Sequence, residues 1–254
     1  MWINKDAEKF LPVVHFPYPV DIDKFKPIDD TTKNNVLVMF KYRKNTELSF
    51  IESQLKSKNE SYRIFKYGSY QEEDYKNYLQ TCKYGIWIGT HESQGFGLQE
   101  ALSCDIPLLV WSVTNMNQQE NWRGAPDVKA TSVAYWDKMC GEYFNKQDEF
   151  EKTYQIFLQN LNNYKPREFI LNTLSVRQCA ENFKNIFLNE KKTNSTEFKL
   201  LTCANKNYFH ALKHFINNVK QINIDFDKLI IYDVGLTTDQ ENELYILQAE
   251  YGFY

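Results

Sequence analysis

Glycine and proline are scarce in this chain, nine and seven residues among 254, which excludes a collagen-like repeat and a Pro/Gly-rich low-complexity protein. The five cysteines, Cys82, Cys104, Cys140, Cys179 and Cys203, are odd in number and never form a Cys-x-x-Cys pair. That spacing speaks against a zinc ribbon or a disulfide framework and suits reduced thiols in the cytoplasm. No apolar run approaches the roughly 20 residues of a membrane-spanning helix, and Met1 to Phe10 lacks a signal-peptide core, so a cytoplasmic chain without a membrane span is expected. Excess positive charge is missing too: 30 Lys and Arg stand against 33 Asp and Glu, a net charge of −3. A broad basic surface for nucleic acid is thereby excluded, although a local basic cluster can still hold a small phosphate ligand.

What is present is ordinary globular material, 43 % hydrophobic and 25 % charged. Short apolar runs alternate with amphipathic stretches, the pattern of a parallel α/β sheet. Strands are expected at Val36 to Tyr42, Tyr62 to Tyr67, Tyr84 to Gly89, Leu108 to Trp111 and Ala130 to Tyr135. Helices are expected at Glu47 to Leu55, Glu72 to Thr81, Gly97 to Cys104, Asp148 to Asn162 and Val176 to Leu188. A polar stretch then reads as a linker over 191–197, closing a first domain over 1–190. Over 198–254 a new cycle begins: strand Lys199 to Cys203, helix Tyr208 to Val219, strand Lys228 to Asp233, and a helix opened by Thr237 or Thr238. Two strands are too few for an open α/β sheet, so this segment is expected to be the truncated start of a second domain.

The chemistry concentrates after the third expected strand. Tyr84-Gly-Ile-Trp-Ile-Gly89 runs into Thr-His91-Glu92-Ser93-Gln-Gly95-Phe96-Gly97-Leu-Gln-Glu100-Ala, a strand, a glycine-bearing loop and a helix. At such a junction the backbone N–H groups and the positive helix end can cradle an anion. Two carboxylates, one before the helix and one within it, suit sugar hydroxyls, because an ionised carboxylate accepts hydrogen bonds at both oxygens. Taken by spacing alone, Glu92 reads as a helix cap and Glu100 as a solvated helix residue.

The surrounding residues add a family resemblance. Glu92-Ser93-Gln94-Gly95, with Glu100-Ala101-Leu102-Ser103-Cys104-Asp105-Ile106-Pro107-Leu108 following without a gap, resembles the donor-domain motif of retaining GT-B glycosyltransferases. The segment 13–27, with Phe16-Pro-Tyr-Pro-Val-Asp21 and Pro27, looks like that family's hinge, and Tyr67-Gly68-Ser-Tyr70 like the loop before the motif strand. The resemblance runs from Val13 to Phe187. It implies a Rossmann-like donor domain and transfer of a sugar from a UDP- or GDP-linked donor to an acceptor hydroxyl with retention, without metal or other cofactor. By position it makes Glu92 the contact to the donor sugar and Glu100 the contact to the ribose. Lys41 falls at the family's first diphosphate-binding cation, and either Arg43 or Lys44 supplies the second. The family shows Gly-Arg with a later Lys, where this chain reads Phe40-Lys41-Tyr42-Arg43-Lys44.

Around these, Gly68, Ser93, Gly95, Phe96 and Gly97 are expected at the donor, with Tyr70 placed to stack near the base. His91 either touches the donor or fills the loop. Asp105, where the family has glycine, is a mild departure because Asp tolerates left-handed backbone. The acceptor half of a GT-B enzyme is expected on a longer chain, before residue 13; the acceptor itself, whether glycan, protein or small molecule, is left open. The rivals are a non-catalytic nucleotide-sugar-binding module, a GT-B-fold sugar-nucleotide epimerase and a pure scaffold. Asp21-Ile-Asp23, Asp225-Phe-Asp227 and the His210/His214 pair read as chance surface features and not as metal ligands. Leu200 onward resembles the first strands of a GT-A-like domain, with Asp233 either a nucleotide contact or a turn residue.

Overall fold

The computed structural model describes residues 16–28, 32–124, 128–190, 200–204, 206–221, 229–233 and 235–253. The early part of the expected hinge (13–15), the linker 191–197 and Asp225-Phe-Asp227 lie outside them. The chain divides into two compact units, Met1–Lys184 and Asn185–Tyr254.

The first unit is an α/β domain of Rossmann-like type. Its strands are β1 (Asn35–Phe40), β2 (Ser61–Lys66), β3 (Cys82–Ile88), β4 (Leu108–Trp111) and β5 (Gly141–Phe144). All pair in parallel, in the order β2-β1-β3-β4-β5. The apolar runs Val36-Leu-Val-Met39 and Ile86-Trp-Ile88 form the central strands because both faces of a parallel sheet are covered. On one face, α2 (Glu72–Leu79), α3 (Phe96–Ser103) and α5 (Pro166–Thr173) enclose Leu37, Met39, Phe65 and Trp87. On the other, α1 (Asn45–Ser57) and α4 (Phe150–Gln159) enclose Val36, Val38, Tyr84, Ile86 and Trp111. Helix α6 (Val176–Glu190) follows, and the division between the units falls inside it.

The strand expected over Ala130 to Tyr135 does not form. Only Lys129 bridges, antiparallel, to Asn115. Thr131 instead gives its carbonyl to the Glu92 N–H (2.9 Å), and the Ser132 hydroxyl bonds the Val113 N–H and the Gly89 carbonyl. Its polar groups are spent bracing the motif loop, and the fifth strand is the later Gly-Glu-Tyr-Phe at Gly141–Phe144. Helix α5, opened by Pro166 in its first turn, was not expected either.

Residues 16–28 form a strap across one face. Val20 bridges Ser175, and its N–H bonds the Leu174 carbonyl. The Arg167 guanidinium then ties the carbonyls of Ile22 and Phe25 in the strap to that of Ser103 at the end of α3. Asp105 turns the chain out of α3 at φ 61°, and its carboxylate accepts the Arg167 N–H.

The second unit pairs β6 (Leu200–Ala204) with β7 (Leu229–Asp233) in parallel, with α7 (Phe209–Gln221) and α8 (Thr238–Tyr251). Thr237 is the N-cap of α8, in a reciprocal capping box with Gln240. The core comprises Phe209, Leu212, Ile216, Leu229 and Phe253.

Candidate functional site

The order β2-β1-β3-β4-β5 places the switch point of the winding between β1 and β3, where connections leave in opposite directions and open a crevice at the carboxyl ends of the strands. Lys41 follows β1 directly, its N–H still paired to the Ile88 carbonyl of β3 (2.9 Å). Glu92 follows β3 and is held by Thr131. Tyr67 and Tyr70 come from the end of β2, with the Tyr67 N–H on the Phe40 carbonyl. Together with Trp87 and the loop Ser93 to Gly97 they line a cavity of about 210 Å³.

Within it Lys41 and Glu92 form a two-pronged ion pair. Lys41 Nζ lies 2.9 and 2.8 Å from the two carboxylate oxygens, and the side chains are 15 % and 8 % exposed. The ammonium also sits 4.7 Å from the centre of the Tyr67 ring. Burial raises the Glu92 pKa above the usual carboxylate range, opposed by Lys41.

Gly95 is the N-cap of α3 in left-handed backbone (φ 79°, ψ 43°), a geometry that costs other L-residues about 1–2 kcal/mol. It aims the helix amino end at the loop. Gln94, which carried no functional expectation, fastens this loop to the strap: its amide accepts the Tyr18 N–H and donates to the Tyr18 carbonyl, both at 3.0 Å, and it is bonded in turn to Gln99. A paired glutamine has no signature in sequence without its distant partner.

Lys41, Tyr70, Glu92, Ser93, Gly95, Phe96 and Gly97 therefore meet in one cavity, and the remaining expected residues fall elsewhere. Glu100 lines an adjoining cavity of about 230 Å³ with Lys24, Phe25 and Glu72, and Phe96 forms part of both walls. Burial drives the Glu100 carboxyl up to about 7, partly offset by Lys24. Tyr70, packed edge-on against Phe65, is pushed up to about 12 by burial and then by Glu100, so its hydroxyl keeps its proton. His91 stands edge-on to Trp122 outside the first cavity, and burial followed by Lys41 depresses its pKa. Gly68 (φ 77°) turns the chain after β2 without lining the cavity.

Arg43 lies elsewhere. The chain turns at Tyr42 (φ 50°), and the Arg43 side chain is 1 % exposed, away from the cavity lining. Its guanidinium donates two bonds to the Glu47 carboxylate (2.9 and 2.6 Å), and others to the Gly89 (2.8 Å) and Trp111 (3.2 Å) carbonyls. It closes the ends of β3 and β4 and is fully employed as a structural cation. Lys44 is the exposed N-cap residue of α1, its N–H accepted by Glu47.

The sidelined signals have structural employment. Asp21 accepts the N–H groups of Asp23 and Lys24, and Asp233 those of Gly235 and Leu236 at 2.7 Å, which makes Asp233 a turn residue. His210 and His214 lie ring to ring on α7 at 4.4 Å. Among the described residues no three His, Cys, Asp or Glu side chains come together as a metal site, and no helix is long and apolar enough to cross a membrane. The thiols of Cys82, Cys104, Cys140 and Cys179 are unbridged and buried, and burial raises the first three to about 12.

No family model matches this chain, and no curated protein is significantly similar to it. Among solved structures, the crystal structure of TarM is similar at 16 % identity and a TM-score of 0.42, over 64 % of this chain and 36 % of that one. This chain thus spans little more than a third of the TarM length, and likeness at that level carries no statement about function.

Proposed function

We propose that the first unit binds a nucleoside-diphosphate sugar at the carboxyl ends of β1 and β3 and serves as the donor half of a retaining GT-B glycosyltransferase. The observation that carries this reading is the meeting of Lys41, Glu92 and the amino end of α3 in one cavity at the switch point of the sheet. Lys41 offers a fixed positive charge to the diphosphate, and a fixed cation stabilises charge that grows on a leaving phosphate without solvent reorganisation. Glu92 accepts hydrogen bonds from the sugar, and Glu100, beyond Phe96, accepts them from the ribose. Tyr70 contributes a protonated hydroxyl and a ring face. Retention, the UDP- or GDP-linked donor, an acceptor half elsewhere and independence from metal come from the resemblance in the motif residues.

A second reading, a nucleotide-sugar-binding module without turnover, is favoured by one observation: Arg43 is committed to Glu47 and two carbonyls, so the cavity lining holds Lys41 without a second cation. That reading predicts binding with no sugar transfer, even when acceptors and an acceptor half are supplied.

Calorimetric titration with UDP, GDP and their sugars tests the site. Lys41→Ala is expected to weaken binding at least tenfold, about 1.4 kcal/mol, and Glu100→Ala to weaken it comparably. Unchanged affinity in both variants would overturn the assignment.

A further inference from the structure

The Lys41–Glu92 pair restricts what the cavity accepts, if the ligand is the nucleotide sugar proposed above. Neither charge has another hydrogen-bonding partner among the described residues: the ammonium meets both Glu92 oxygens, and those oxygens meet only the ammonium. Both side chains are largely withdrawn from water. A charge pair in such a place is asymmetric in its response, because removing one partner leaves the other buried and uncompensated, at a cost well above what the intact pair contributes.

An anion drawn to Lys41 competes with Glu92 for the same ammonium. If the arriving ligand is a bare diphosphate, Glu92 loses its cation, gains a neighbouring anion and receives no donor in exchange. If the ligand carries a hydroxyl-bearing ring directly beyond its phosphate, those hydroxyls donate to the released carboxylate. The cost of opening the pair is then offset on both sides.

We propose that the ion pair makes this cavity selective for a two-part ligand, an anion joined to a polyhydroxyl ring, over the corresponding bare nucleoside diphosphate. Glu92 acts here as an internal competitor that only the sugar-bearing ligand displaces without penalty. In a transferase this bias favours donor over spent diphosphate and so weakens product inhibition.

The test is calorimetric titration of the whole chain with UDP, UDP-glucose, UDP-galactose and UDP-N-acetylglucosamine, and with GDP and GDP-mannose, repeated on Glu92→Gln. Wild type is expected to bind one sugar-bearing form at least tenfold more tightly than its bare diphosphate. Glu92→Gln is expected to strengthen bare diphosphate binding by tenfold or more and to close that gap. Equal affinities in wild type, or a gap that survives in Glu92→Gln, would overturn the proposal while leaving nucleotide-sugar binding intact; the ammonium would then be using its three donors to hold Glu92 and phosphate together. Absence of binding by every compound would overturn the proposed function, and this inference with it. Should Glu92→Gln fail to fold by circular dichroism, the neutral pair Lys41→Met with Glu92→Gln replaces it: a tenfold gap retained there would overturn the proposal, and its loss would support it.

Discussion

Two residues show how burial decides the use of a charge. Arg43 and Lys41 stand two positions apart after β1, yet Arg43 is consumed by Glu47 and two strand-end carbonyls while Lys41 faces a cavity. Arg43→Met is predicted to destabilise the first unit by about 3–5 kcal/mol, since Glu47 and buried carbonyls lose their partner. A urea midpoint shift measures this; an unshifted midpoint accompanied by lost ligand affinity would return Arg43 to the binding site. Glu100 gives a pH signature. Burial raises its folded pKa to about 7 from the ordinary 4.5, so ionising it in the fold is penalised. The stability it leaves intact is fully present below about pH 4.5 and is lost as pH rises through about 7. Discounted for its partial exposure, the loss is roughly 2–3 kcal/mol. Glu100→Gln is predicted to remove it, so that the variant is more stable than wild type at pH 8 and similar at pH 4.5, as read from thermal unfolding at both values. Equal pH dependence in the two proteins would contradict the burial of this carboxyl.

Elements were legible where burial is two-sided and hidden where a partner decides. Val36 to Met39 and Ile86 to Ile88 are apolar without alternation, so central parallel strands could be read directly. β1 nevertheless ends at Phe40, short of the expected Tyr42, because Tyr42 adopts left-handed backbone that an aromatic side chain does not announce. β5 was missed because it is four residues long and begins with a glycine. That glycine is obligatory: at φ 132° a Cβ on Gly141 would fall 2.0 Å from the Leu108 carbonyl oxygen, a contact visible only once β4 lies alongside. Asp105 is the opposite case, its left-handed φ matching the residue types that tolerate it. In the site, the motif loop and Lys41 were singled out through the family resemblance of their residues, whereas Gln94 against Tyr18 spans 76 positions and left no local trace. The strap offers a prediction at this scale. Arg167→Ala cuts its ties to Ile22, Phe25 and Ser103 and is predicted to cost about 2–3 kcal/mol, from loss of charge-assisted bonds. Amide exchange at Val20 and Phe25 should rise in that variant, and unchanged protection would show that the strap is held by other contacts.

At the scale of the whole molecule, the two units differ in what their cores can sustain. Among the described residues, the first buries two apolar layers on a five-stranded sheet; the second rests on two paired strands and a small cluster around Phe209, Leu212 and Phe253. Two strands with so little apolar cover are marginal. Urea unfolding followed by circular dichroism is therefore predicted to show two steps, the earlier one absent from residues 1–190 alone. A single transition common to both proteins would refute separate unfolding. The placement of the cavity carries a consequence for inheritance. A crevice that arises because neighbouring chain connections diverge from β1 and β3 is drawn by the backbone, and it endures while strands stay apolar and a few side chains at their ends persist. Most of the remaining residues can drift without erasing it, so a crevice of this kind tolerates change nearly everywhere else in the chain.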